Sequence, residues 1–109
     1  MPFDPEFDDS SSAGTNVSDV LRTQGTNNAI TVGVTAVEAK VGGSRLAGRK
    51  LLVISPLDND VYWGFRSDVT TANGFPIAKL QVAIFSVDDS IAVYLIAAGA
   101  GKSVVVGES

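Results

Sequence analysis

The sequence predicts an all-β protein: a small antiparallel β-sandwich or barrel of six to seven short strands with an extended N-terminal arm. Three observations carry that expectation. From Ile30 onward, Val, Ile, Leu and aromatic residues recur in short runs separated by Gly, Asn, Asp and Pro. No segment keeps apolar residues at helical spacing over three turns. Turn signals return every eight to twelve positions, the rhythm of short strands packed in two layers or a closed barrel.

The chain divides at about residue 28. Residues 1–28 read as an acidic arm and residues 29–109 as the β-domain. The arm carries Pro2 and Pro5, the Ser10-Ser11-Ser12 run, Gly14, Gly25 and the Asn27-Asn28 pair. Residues 1–20 hold five acidic side chains (Asp4, Glu6, Asp8, Asp9 and Asp19) and no Lys or Arg, so the net charge of −4 belongs to the leader. Such a composition cannot offset its ordering entropy by packing on itself. Two outcomes follow: a mobile solubilising tail, or a segment laid across a partner. In the second case Phe3 and Phe7 are the anchors, because isolated aromatics in an acidic segment have no other evident use. Ser18 to Arg22 has the pattern of a single helical turn, which is marginal alone.

The elements of the body follow in order. Ile30 to Val41 reads as one strand in which the alternation Val32, Val34, Ala36 slips to Val37, Ala39, Val41, the mark of a bulge. Gly42-Gly43-Ser44 is a turn. Arg49 to Ser55 is a strand, nearly continuous in its apolar run, ended by Pro56. Leu57-Asp58-Asn59-Asp60 is turn chemistry, and Val61 to Phe65 should pair back as a hairpin. Further strands are expected at about Pro76–Lys79, Gln81–Val87, Ile91–Ala97 and Ser103–Val106. Asp88-Asp89-Ser90 and Gly99-Ala100-Gly101 are expected as hairpin turns between them.

The stretch Val61 to Ile77 is the most distinctive. It holds the only Trp, one of two Tyr and two of five Phe. Alternation puts Val61, Trp63 and Phe65 on one face and Tyr62, Gly64 and Arg66 on the other. An alternating apolar face usually points inward, so Trp63 and Phe65 are assigned to the core with Leu52, Ile54, Ile84, Val93 and Leu95. Tyr62 then faces solvent or a neighbour and joins Phe3 and Phe7 as an expected partner contact. A stacking platform of Trp63 and Tyr62 for a sugar or base has less support, since there is no second Trp and no cluster of Arg and Lys beside it.

The order "RKLLVI", a short Asp/Asn turn, "VYWGF", then "SDVTTANGFPI" resembles a family of small β-sandwich proteins encoded among the virion genes of tailed bacteriophages. The C-terminal "VYLIAAGAGKSVVVGE" is similar to the closing hairpin of those proteins. The resemblance covers about residues 36–107 and rests on hydrophobic pattern and turn residues rather than a catalytic signature. It implies a structural component of the particle, without choosing among capsid, neck and tail. The expected partners are therefore other virion proteins and further copies of the same chain, in a virion assembled in the host cytoplasm.

Other chemistries find little to work with. There is no Cys for a disulfide or thiolate metal site and no His to act as a base near neutral pH. Gly99-Ala100-Gly101-Lys102-Ser103 hints at a phosphate loop, but Ile96 stands where the first glycine belongs and Val104-Val105-Val106 favours a strand, not a helix. Asp58, Asp60, Asp88 and Asp89 lack calcium-loop spacing and read as solvated tips. A carboxylate pair acting on sugars would draw on Glu38 and a few loop aspartates. Neither a basic stripe for nucleic acid nor an apolar run long enough for a membrane is present. The expectation is thus a non-enzymatic protein with no catalytic residues, cofactor or metal. The alternative is a carbohydrate- or receptor-binding module at the end of a fibre.

Overall fold

The computed structural model describes residues 25–109. Phe3, Phe7 and most of the expected arm lie outside the described residues. Among those described there is no helix. Eight strands form two antiparallel four-stranded sheets: β1 (Thr26–Val32), β2 (Val37–Glu38), β3 (Leu52–Pro56), β4 (Val61–Gly64), β5 (Phe75–Ile77), β6 (Ala83–Phe85), β7 (Tyr94–Ile96) and β8 (Lys102–Glu108). The first sheet has the order β1-β8-β3-β6, the second β2-β7-β4-β5.

The all-β expectation holds, with eight strands in place of six or seven. The extra strand comes from the stretch read as one bulged strand. Its two halves are β1 and β2, which belong to different sheets. The slip in alternation at Val34 to Val37 marks a crossing between sheets, and Val34 is exposed there. β1 also starts at Thr26, so three residues assigned to the end of the arm pair with β8, Thr26 opposite Glu108 and Asn28 opposite Val106.

The expected hairpins are a second correction. β3 and β4, β6 and β7, and β7 and β8 are neighbours in sequence but lie in different sheets. Only β4 and β5 are both consecutive and paired, with Val61 opposite Ile77 and Trp63 opposite Phe75. The Asp- and Gly-rich turns therefore carry the chain from one sheet to the other. Their aspartates are not merely solvated. Asp58 Oδ2 accepts from Ser103 N (2.9 Å) and Asp60 Oδ1 from Lys79 N (2.8 Å). Asp89 Oδ2 accepts from Gly48 N (2.9 Å), and Asp88 Oδ1 from Ser90 N (2.9 Å). Each accepts from an exposed backbone N–H and so ties its turn down.

Alternation builds the core. In β3, Leu52, Ile54 and Pro56 are buried while Val53 and Ser55 are half-exposed, and β8 repeats this with Val104 and Val106. These side chains join Val32 from β1 in one hydrophobic cluster with Val61, Ile77, Val93 and Leu95 from the second sheet and its flanks. Burying each such side chain contributes roughly 1.5–3 kcal/mol.

One end of the molecule is closed by a buried ion pair. Arg49 Nη1 donates to Glu108 Oε2 at 2.8 Å, with both side chains almost fully buried. The same carboxylate accepts from Val41 N (2.9 Å) and Leu46 N (3.2 Å). Arg49 Nη2 donates to the carbonyls of Asp88 (3.0 Å) and Ile91 (2.6 Å). Three segments distant in sequence meet at this node: the end of β8, residues 41–49 leading into β3, and the 88–91 turn.

Candidate docking surface

The β4–β5 hairpin and its loop build the most distinctive surface. Trp63 sits near the end of β4, half-buried and packed against the core cluster. Its ring lies 4.8 Å from Phe85 of the opposite sheet, nearly edge-on, and 4.8 Å from Phe75 across the strand pair. Phe65 meets it edge-on at 5.1 Å. These are favourable aromatic geometries, and each pair adds about 0.5–1.5 kcal/mol beyond area burial. Trp63 is thus scaffold on its inner side, as expected for a core residue.

Phe65 corrects the expectation. It is 57% exposed, as is Phe75. β4 ends at Gly64, so the alternation that assigned Phe65 inward stops one residue short of it. Ile84 is a second correction, at 62% exposed. It pairs with Val53 on the outer face of the first sheet, whereas its neighbour Phe85 points in. Leu52, Ile54, Val93 and Leu95 are fully buried as expected. Tyr62 lies on β4 between Pro76 and Ile96, half-buried on the outer face of the second sheet.

The loop that holds the exposed rings is tightly built. Gly64, at the end of β4, and Gly74, in the loop before β5, pack so closely that an added Cβ would come within 2.7 Å of Val69 Cγ2 at Gly64, and 2.8 Å of Tyr62 Cβ at Gly74. Val69 is buried beneath the loop. Thr70 Oγ1 accepts from Asn73 N (3.2 Å), Asn73 Oδ1 accepts from Thr70 N (2.8 Å), and Gly74 N donates to Thr70 O (2.8 Å). The stretch from Thr70 to Gly74 is therefore a locked loop that fixes Phe75. Arg66 and Asp68 pair beside it through two bonds of 3.3 and 3.2 Å, fully in solvent, where such a pair adds little stability.

Further exposed apolar side chains lie along the first sheet. Leu80, Val82 and Ile84 are each more than 60% exposed along and before β6, an edge strand of the first sheet. Leu80 also has φ 67°, the left-handed region that a bulky side chain rarely adopts. Its N–H donates to Pro56 O at 2.7 Å, which holds the backbone there. Phe75 lies on edge strand β5 and Phe65 follows β4 in the loop that leads to it, while Leu80, Val82 and Ile84 lie before or on edge strand β6. Exposed apolar groups gathered in this way mark interaction surfaces.

Glu38, in the hollow it shares with Lys40, Arg45 and Asp89, is bonded to Arg45 Nε. That bond pushes the Arg45 guanidinium pKa further up. The Gly99–Gly101 turn runs into strand β8, and Gly101 takes the left-handed conformation (φ 70°). Among the described residues no group of three or more acidic side chains is placed to hold a metal ion. The buried Arg49–Glu108 node was not legible in sequence; the one available signal is an acidic residue at an inward position of an otherwise apolar strand. No family model, curated protein or solved structure matches the chain.

Proposed function

We propose that this protein is a non-enzymatic structural component of a bacteriophage virion, a β-sandwich that docks on a capsid, neck or tail surface as a decoration, collar or fibre-attachment protein. The phage assignment rests on the sequence resemblance over residues 36–107. The docking mode rests on one observation: Phe65 and Phe75 stand exposed on a locked loop, backed by Trp63 and Phe85. Rigid aromatic anchors lose little entropy on binding, which makes them effective at interface centres. Edge strands β5 and β6 offer backbone groups for pairing with a partner or a second copy. Tyr62 and the leader residues Phe3 and Phe7 are further proposed contacts.

The test is mass spectrometry of purified particles together with the double substitution Phe65→Ser/Phe75→Ser. The reading expects the protein in the particle, and a folded variant that fails to incorporate. Normal incorporation of that variant would remove the aromatic corner from the docking account. Absence of the chain from every particle fraction would remove the virion assignment.

A second reading, a carbohydrate-binding module, gains from the same corner. Phe65 and Phe75 line a shallow hollow with Arg66, Asp68 and Asn73, pairing ring faces with polar groups that can bond hydroxyls. Phe65 and Phe75 here take the place that the sequence suggested for Trp63 and Tyr62. Quenching of Trp63 fluorescence by sugars, lost in the double variant, would favour it.

A further inference from the structure

The outer face of the first sheet carries an apolar groove of about 290 Å³, lined by Val53, Ser55, Val82, Val105 and Gly107 and bounded at one end by Gly25 and Thr26. Its floor is set by register. Asn27, Gly107, Val53 and Ile84 stand opposite one another across β1, β8, β3 and β6, and Gly107 leaves that row without a side chain at its centre. A Cβ at Gly107 would meet nothing closer than 3.6 Å, so the chain keeps an opening there that sterics do not demand.

The 24 residues that precede Gly25 join the body at the lip of this groove. Their first residues read Phe3-Asp4-Pro5-Glu6-Phe7-Asp8. On an extended backbone side chains alternate, so Phe3, Pro5 and Phe7 would share one side and Asp4, Glu6 and Asp8 the other. That is the pattern of a segment with one side for an apolar groove and one for water. The 18 residue-to-residue steps from Phe7 to Gly25 span at most ~60 Å, ample for the segment to fold back. A tether of this length also gives an effective concentration on the order of millimolar, which favours the chain's own groove over that of another molecule in dilute solution.

We propose that the segment Phe3–Phe7 of the same chain seats in this groove, with its aromatic rings against Val53, Val82 and Val105 over Gly107. The inference concerns the free protein, in which Phe3 and Phe7 occupy the chain's own groove until a partner takes them up, and it does not need a particle. It is tested in the full chain by placing a photo-crosslinker at position 7 (Phe7→p-benzoylphenylalanine) and irradiating dilute protein. The expected products are crosslinks within one molecule to the peptides that hold Val53, Val82 or Val105. They should be lost when the groove is plugged by Gly107→Leu. Crosslinks confined to covalent dimers would assign the groove to a neighbouring copy and overturn the proposal. So would crosslinks to the Phe65–Phe75 loop, or a pattern unchanged by the plug. A second measurement leaves the body untouched: Phe3→Ser/Phe7→Ser should shift the amide resonances of Val53, Val105 and Gly107 and leave those of Val37 and Glu38 in place. Unshifted groove resonances would equally sink it.

Discussion

Gly64 and Gly107 are both strand glycines, and a methyl group would meet opposite fates at them. At Gly64 the new Cβ would lie 2.7 Å from Val69 Cγ2, a stiff β-branched side chain buried beneath the loop. Gly64→Ala should therefore cost about 1–3 kcal/mol, as overpacking does. At Gly107 the nearest atoms are 3.6 Å away, so Gly107→Ala should stabilise by about 0.5–1 kcal/mol through the backbone entropy that glycine loses in a strand. Paired thermal melts check both signs. The Arg49–Glu108 node makes a different prediction. Arg49→Met strands a buried carboxylate and should cost about 3–5 kcal/mol in denaturant titrations. Replacing both partners by apolar residues often rescues such a loss, but not here. Glu108 also satisfies the N–H groups of Val41 and Leu46, and each left unpaired costs about 1–3 kcal/mol. The double variant Arg49→Met/Glu108→Leu should remain destabilised relative to the wild type.

Strands were legible in the sequence where alternation is strict, and their partners were not. Leu52, Ile54, Val104 and Val106 declare an inward face, but a buried face does not say which sheet it belongs to. The same Asp- and Gly-rich turn serves a hairpin or a crossing between sheets, so the sequence expectation paired β3 with β4 and β6 with β7, while the chain crosses at both. The aromatic stretch stood out in the sequence, but its alternation assigned Phe65 to the core, and the end of β4 at Gly64 leaves that ring exposed. The crossing turns have their own electrostatics. Asp88 accepts from both the hydroxyl (2.6 Å) and the backbone N–H (2.9 Å) of Ser90, and these bonds hold its carboxyl below the usual value. A folded-state pKa below the unfolded one means the contribution is present above the unfolded value, near pH 4, and is lost as pH falls through the folded one. Ser90→Ala should raise the Asp88 pKa toward the ordinary carboxylate range, as read by carboxyl-carbon NMR titration. An unmoved titration would mean the hydroxyl is not the cause.

The topology of the whole molecule sets how it must fold. β8 is a central strand: it pairs along its length with β1, which is about 75 residues earlier in the chain, and with β3 on its other side. Six of the seven steps from one strand to the next change sheet, so β4–β5 is the only pairing of consecutive strands in the described residues. Little of the native pairing can therefore form locally, and the loop-closure entropy of distant segments must be met before their contacts stabilise anything. Refolding should accordingly fall in the millisecond-to-second range typical of sheets built from non-local pairs, not the microseconds of helical bundles. Stopped-flow recording of Trp63 emission suits the question, because Trp63 contacts Phe85 of the opposite sheet and reports their juxtaposition. Removing β8 is the sharper experiment. A chain ending at Gly101 keeps the β4–β5 hairpin and most turns but loses Val104, Val106 and Glu108 together, along with both neighbours' pairing. It should show no cooperative unfolding transition in denaturant. A truncated chain that still unfolded cooperatively would show that the second sheet and its aromatic corner stand without the first.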